Sequence, residues 1–251
     1  MKKNAIIIPT YNEGLSISKS IQEISEFLLL EGHGTVAILI DDGSTDNTYE
    51  QVTNLALPNV HAFKLPSNQG YGGAIRFGFE IAMNHQIKNV VVMDSDLTNP
   101  LDEVPRMFKE IENADLVKAS RFIEGSDMSN VSKQRKIFSI LGNLILRKLF
   151  NSEVLDVTNG FRAWRVNSYL GLPRTSPGFS SIVEEFYFAK KSELRIREIP
   201  SRLGNRTEAQ RKTSASYSMK SIWLYLRPGI YYFVQKHGKI QIQPEFHKNA
   251  K

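Results

Sequence analysis

The sequence predicts an α/β protein with a mostly parallel sheet flanked by helices. Three observations lead to this class. Short apolar runs rich in β-branched residues, Ala5-Ile6-Ile7-Ile8, Thr35 to Ile40 and Val90-Val91-Val92-Met93, read as parallel strands buried on both faces. Helical stretches separate them, and strand–helix alternation implies right-handed crossovers. Each run opens into a polar or acidic loop, and ligands of open α/β sheets gather at the carboxyl ends of the strands.

The first strand opens into Pro9-Thr10-Tyr11-Asn12-Glu13, and a helical stretch follows from Gly14 to Leu30. The second opens into Asp41-Asp42-Gly43-Ser44-Thr45-Asp46-Asn47-Thr48, with a helix over Asn47 to Leu57. Glu13 and Asp46 are suited to helix capping as well as to ligand contact, and Asp46 lies just before its helix. Gly70-Tyr71-Gly72-Gly73 leads into a helix from Ala74 to about Gln86. Its glycines either admit a ligand close to the backbone or supply positive φ. The third strand ends in Asp94-Ser95-Asp96. Two carboxylates one residue apart can hold a divalent cation such as Mg²⁺, which takes one or two protein carboxylates and leaves its other positions to water and phosphate. The alternative is that one Asp caps the next helix while the other is solvated. There is no phosphate loop of the Gly-x-x-x-x-Gly-Lys-Ser/Thr kind.

Composition sets limits. With 251 residues the chain is long enough for one large domain, and 41% hydrophobic residues fit a globular protein rather than a multi-span membrane protein. The absence of cysteine excludes disulfide and thiol chemistry. A net charge of +6 suits anionic partners such as acidic membrane surfaces, phosphorylated lipids or nucleic acid. Met1-Lys2-Lys3-Asn4 runs straight into the first strand, so no signal peptide is expected.

Taken together, the four segments 9–13, 41–48, 68–74 and 94–96 resemble the family 2 glycosyltransferases, whose GT-A fold is Rossmann-like. Ala119-Ser120-Arg121-Phe122, Asp156-Val157-Thr158-Asn159-Gly160-Phe161-Arg162 and the Glu184 region narrow the likeness to the polyprenyl-phosphate hexosyltransferases. The resemblance covers roughly residues 4–215. It implies a nucleotide sugar as donor, with GDP-mannose ahead of UDP-glucose. It also implies Mg²⁺ or Mn²⁺ on Asp94 and Asp96, a polyprenyl phosphate as acceptor, and no nucleic acid partner. Asp96 would coordinate the cation, and Asp94 would touch the ribose or a metal-bound water. Donor contacts would come from Pro9, Tyr11, Glu13, Asp42, Gly70, Asp94, Ser95, Arg162, Arg206 and Lys212, with Lys212 on a basic loop over the diphosphate. Where mannose synthases often carry a metal-contacting Gln, this chain has Thr98.

Residues 132–150 place apolar side chains at 137, 141, 144, 145 and 149, with 138, 140 and 146 widening the stripe. Lys133, Arg135, Lys136, Arg147 and Lys148 flank it. This pattern fits an amphipathic helix at a membrane interface, and it fits a core helix with solvated basic ends; the resemblance favours the interface. By the same resemblance Arg121 and Arg135 bind the acceptor phosphate, a task suited to the guanidinium fork. A catalytic domain is therefore expected over 1–215, an aromatic membrane-interface segment over 216–238 and a polar tail over 239–251, the whole peripheral on the inner face of the cytoplasmic membrane. Two other functions compete. One is transfer to a saccharide hydroxyl, which needs a base, with Glu184 and Glu185 as candidates. The other is a non-catalytic sugar-nucleotide-binding protein.

Overall fold

The computed structural model describes residues 4–32, 34–203, 223, 226–232 and 234. Its frame is a seven-stranded sheet. β1 (Asn4–Thr10), β2 (Val36–Asp41), β3 (Val60–Lys64), β4 (Asn89–Val92), β5 (Leu116–Ser120), β6 (Arg162–Arg165) and β7 (Ile196–Pro200) lie in the order β3-β2-β1-β4-β6-β5-β7. All pairings are parallel except those of β6, which runs antiparallel to β4 and β5. The three expected strands are thus β1, β2 and β4, adjacent at the centre. Their continuous apolar runs follow from burial on both faces: Ile7 packs into one core layer, Ile6 and Ile8 into the other.

One layer is covered by α3 (Gly70–Asn84), α6 (Val166–Leu170) and α7 (Ser181–Lys191), the other by α1 (Ile17–Glu31), α2 (Thr48–Asn54) and α4 (Val104–Glu110). α1 starts later than the sequence suggests because the Glu13 carbonyl accepts from Ser16 N and Ile17 N, and residues 14–16 form the turn before the helix. α3 starts earlier, at Gly70 rather than Ala74. The segment 176–177 crosses its first turn, where Gly72 N donates to Pro177 O at 2.6 Å. A Cβ on Gly70, whose φ is +76°, would sit 2.5 Å from Pro177 O, and one on Gly72 would sit 2.4 Å from Ser176 O. Close backbone crossing therefore requires these glycines, and Gly70 also supplies the positive φ at the start of the helix.

α5 (Lys133–Phe150) is the long helix of the second half. Ser132 caps it through Arg135 N, and Asn151 ends it in the left-handed region at φ 50°. Its apolar residues divide between two faces. Leu146 and Phe150 are buried and Leu149 packs against the core, whereas Ile137, Phe138, Ile140, Leu141, Leu144 and Ile145 are exposed. The stripe read as one face is therefore two: Leu146 and Leu149 belong to the inward one. Residues 226–232 are helical, and a Cβ on Gly229 would meet Leu146 at 2.5 Å, so part of the aromatic segment 216–238 lies against α5. The tail 239–251 lies outside the described residues.

Candidate active site

The carboxyl ends of β1, β2 and β4 open side by side, because these strands are neighbours and parallel. Their loops are fastened to one another. Asn12 N donates to Ser44 Oγ (2.9 Å), and Asn12 Oδ1 accepts from Thr45 N (2.9 Å). Glu13 N donates to Thr48 Oγ1 (2.8 Å), and Gly14 N to Asp46 Oδ2 (3.1 Å). Asp46 also accepts from Thr48 N (3.0 Å), so its carboxylate caps the turn into α2 and joins the two loops. Asp41 is buried and accepts from Ser44 N (3.0 Å). Asp42, also buried, accepts from Gln69 N at 2.6 Å, fixing the entry to α3; burial raises its carboxyl above the usual range. Pro9 pairs with Ile40 one residue before the β1–β2 pairing ends at Thr10, Tyr11 just past the strand is 45% exposed, and Ser95 is buried between its two aspartates.

Asp94 and Asp96 project from the end of β4, both partly exposed. Asp96 Oδ1 accepts from Thr98 N (3.0 Å), a local turn that holds the carboxylate at the strand end, with Leu97 at φ 51°. Glu13 faces them: burial first, then the negative charges of Asp96, Asp94 and Asp46, push its carboxyl above the ordinary value. Acidic oxygens that repel one another across a shared cleft are a hard-oxygen donor set suited to Mg²⁺ or Mn²⁺. Among the described residues no three His, Cys, Asp or Glu side chains are grouped as a metal cage. Two carboxylates completed by water and phosphate remain the arrangement Mg²⁺ favours.

The basic residues are built differently. Arg121, just past β5, donates from Nε to Asp156 Oδ2 (2.7 Å) and from Nη2 to Asp156 Oδ1 (2.8 Å) and Thr158 Oγ1 (2.8 Å). Arg121 holds the buried Asp156 carboxyl below its usual range against the opposing effect of burial. Arg162 is 1% exposed, with Nε and Nη2 on Glu185 (2.7 and 2.9 Å) and Nη1 on Tyr71 Oη (3.1 Å) and Gly160 O (2.7 Å). Its guanidinium is enclosed and bonded on every nitrogen. Its partner Tyr71 stacks on Phe179 at 4.6 Å, and the Tyr71 phenol lies in the field of Asp94. Glu184 is likewise buried and accepts from Ser176 N and Ser176 Oγ, each at 2.6 Å. Arg135 stands in the first turn of α5. Arg206 and Lys212 lie outside the described residues. Arg202, at the start of that basic loop, pairs with Asp102 (2.6 Å) and Glu103 (3.6 Å).

Several contributors were not singled out in the sequence. Lys118, on β5 and 1% exposed, donates to Val157 O (3.0 Å) and Asn159 O (2.7 Å), and burial lowers its ammonium to about 7. Asp156 and Asn143 anchor the same loop. Asp156 stands inside a quoted motif, whereas a lone buried Lys or Asn in an apolar run carries no local signal of its partner.

The family model described as Glycosyl transferase family 2 matches residues 5–170. The chain is 29% identical over 199 residues to the undecaprenyl-phosphate mannosyltransferase of Micrococcus luteus, covering 77% of this chain and 80% of that one. It is 29% identical over 244 residues to the dolichol-phosphate mannosyltransferase of Pyrococcus furiosus, covering 95% of this chain and 65% of that relative. It is also 29% identical over 168 residues to the polyprenol monophosphomannose synthase of Mycolicibacterium smegmatis, spanning 62% of its length. Among solved structures, the glucosyl-3-phosphoglycerate synthase of Mycobacterium tuberculosis, in complex with Mn²⁺, UDP and phosphoglyceric acid, superposes with a TM-score of 0.67 at 21% identity. That likeness covers 96% of this chain and 80% of that one, and it establishes the GT-A fold.

Proposed function

We propose that this chain, which belongs to glycosyl transferase family 2, transfers a hexose from a nucleotide sugar to a polyprenyl phosphate at a membrane surface, inverting the anomeric centre. GDP-mannose is the favoured donor, since three relatives carry mannose transfer in their names. The observation that carries the lipid acceptor is the outward face of α5, where six large apolar residues stand exposed next to basic ones. That face suits an interface at which apolar side chains enter the acyl boundary and cations meet anionic headgroups. Among the described residues no helix is long and apolar enough to cross a membrane, and peripheral attachment on the inner face is part of this proposal.

The chemistry follows from the acceptor. A phosphate monoester is ionised near neutral pH, so its oxygen attacks without a strong base, and the enzyme's task is alignment and charge stabilisation. Asp94 and Asp96 would hold Mg²⁺ or Mn²⁺, which when bound neutralises the departing nucleoside diphosphate. Tyr11, Glu13 and Asp42 border the nucleoside side of the cleft. Arg121 and Arg135 would orient the acceptor phosphate. Transfer to a saccharide hydroxyl finds less support, because both candidate bases are buried and already occupied, Glu184 by Ser176 and Glu185 by Arg162. The test is a panel of nucleotide sugars incubated with a polyprenyl phosphate and Mn²⁺, read by mass spectrometry of the lipid. A glycosylated lipid phosphate supports the proposal, and transfer only to soluble sugars rejects it.

A further inference from the structure

Asn143 is the first fully buried side chain along α5, ahead of Leu146 and Phe150, and it is 2% exposed. A buried amide needs partners on both ends. Its Oδ1 accepts from Val157 N (2.7 Å) and Thr158 N (3.2 Å). Its Nδ2 donates to Ser139 O (2.9 Å) and Thr158 Oγ1 (3.0 Å). The same Thr158 hydroxyl oxygen accepts from Arg121 Nη2 at 2.8 Å. One hydroxyl therefore joins α5 to the guanidinium that lies on Asp156.

The rest of this loop is held from the sheet side. Glu198 on β7 accepts from Leu155 N (2.8 Å) and Asp156 N (2.9 Å), and Lys118 on β5 ties Val157 O and Asn159 O. Thr158 is where the sheet-held loop meets the helix. Arg135 shares a row of α5 with Ser139 and Asn143, at i, i+4 and i+8, about 12 Å along the axis from Asn143. On the helix side, the backbone donors of Val157 and Thr158 require only Asn143 Oδ1. The bonds from Nδ2 and from Arg121 to Thr158 go beyond that requirement.

We propose that Asn143 and Thr158 are positioning residues that set the Arg121 guanidinium by reference to α5, so that the helix carrying Arg135 and the outward apolar face also fixes the second arginine. This rests on the reading of Arg121 as a contact of the acceptor phosphate. Thr158→Val is the clean probe: it keeps size, β-branching and the Asn143 Oδ1 bonds but deletes the shared acceptor. With the full-length protein, GDP-mannose, Mn²⁺ and a polyprenyl phosphate in anionic vesicles, the variant should raise the acceptor KM about 2- to 12-fold, the worth of one hydrogen bond. Nucleotide-sugar affinity by calorimetry should stay at the wild-type value, and Thr158→Ser should restore the acceptor KM. In an Arg121→Lys background the Thr158→Val effect should largely vanish, because neighbours acting through one group are not additive.

An unchanged acceptor KM, full additivity with Arg121→Lys, or equal losses of donor affinity and acceptor KM would each overturn the inference. Wild-type protein that glycosylates no polyprenyl phosphate would reject the lipid-phosphate reading and the inference with it. Wild-type transfer beside an unaffected Thr158→Val variant rejects the inference alone.

Discussion

The acidic edge and the basic loop sit at neighbouring ends of one sheet, yet they handle charge in opposite ways. At the ends of β1 and β4, Glu13 faces Asp96 and Asp94, and burial together with their negative charge pushes the Glu13 carboxyl above its ordinary value. Around β5 and β6, each cation meets a protein acceptor: Arg121 on Asp156, Arg162 on Glu185, Lys118 on two carbonyls. Repulsion at the first region favours a cation arriving from solution. Pairing at the second removes net charge and leaves orientation, since a guanidinium held on a buried carboxylate has a fixed direction. The difference teaches that acidic residues on these loops read as ligand sites, whereas the buried arginines and their partners read as the frame that aims a few groups outward.

The largest expected effect breaks the acidic edge. Asp96→Asn should lower transfer roughly a thousandfold, the scale of losing a major transition-state charge stabiliser. Chelation by EDTA should do the same to the wild type, with Mn²⁺ or Mg²⁺ restoring it. Activity of the variant in chelator near the wild-type rate would remove the metal from this edge.

Next comes the frame. Asp156→Asn leaves Arg121 without its buried counter-charge, a change expected to cost about 3–5 kcal/mol of stability, measured by denaturant unfolding. The carboxyl of Asp156 is depressed in the folded state, so its stabilisation is complete above the ordinary carboxylate range near 4 and is lost as pH falls through the folded value. The variant should therefore lose less stability than the wild type on acidification. Equal acid sensitivity of the two proteins would mean that this pair is not a main source of it.

A smaller effect separates the two regions functionally. Arg135→Ala should weaken acceptor use about 10- to 150-fold, the range of one hydrogen bond to a charged group, with nucleotide-sugar affinity held within a few-fold. Arg135→Lys should recover only part, because the charge returns without the fork. Equal loss of donor affinity would move Arg135 to the acidic side of the cleft.

How far these regions were legible follows from their construction. The acidic edge is a local property: continuous apolar runs mark the central strands, and the carboxylates follow directly in sequence, as in Val90 to Asp96. β3 was missed because an edge strand, Val-His-Ala-Phe-Lys, carries only weak alternation and is half-exposed. β6 was missed because Arg162 and Trp164 are buried by contacts made elsewhere, the arginine by Glu185, 23 residues away. The same distance effect hides the partner of Arg162: a fork that matches phosphate also matches a carboxylate, and the sequence does not say which it meets. Gly70 and Gly72 were ambiguous for a related reason, since their crossing partner, the 176–177 segment, lies about a hundred residues on.

The two faces of α5 give the finest test, because one helix carries both kinds of apolar residue. Leu144 is 57% exposed, and Leu146, two positions on, is 0% exposed. A fold contributor truncated in a packed core costs about 2–5 kcal/mol, so Leu146→Ala should lower the unfolding midpoint clearly. Leu144→Ala should shift stability by no more than about 0.5 kcal/mol, as for a surface change. Its effect belongs to the membrane instead: truncating a leucine that enters the acyl boundary deletes its Cγ and both methyls, at about 0.8 kcal/mol per methylene-sized group about 2.4 kcal/mol, so affinity for anionic vesicles should fall by roughly 50-fold. Sedimentation with vesicles and denaturant melts on the same two variants read both outcomes. If Leu144→Ala destabilises as much as Leu146→Ala, the outward face is covered by protein rather than lipid. If it alters neither stability nor vesicle binding, the docking surface lies elsewhere on the molecule, and the exposed stripe of α5 loses its assigned role.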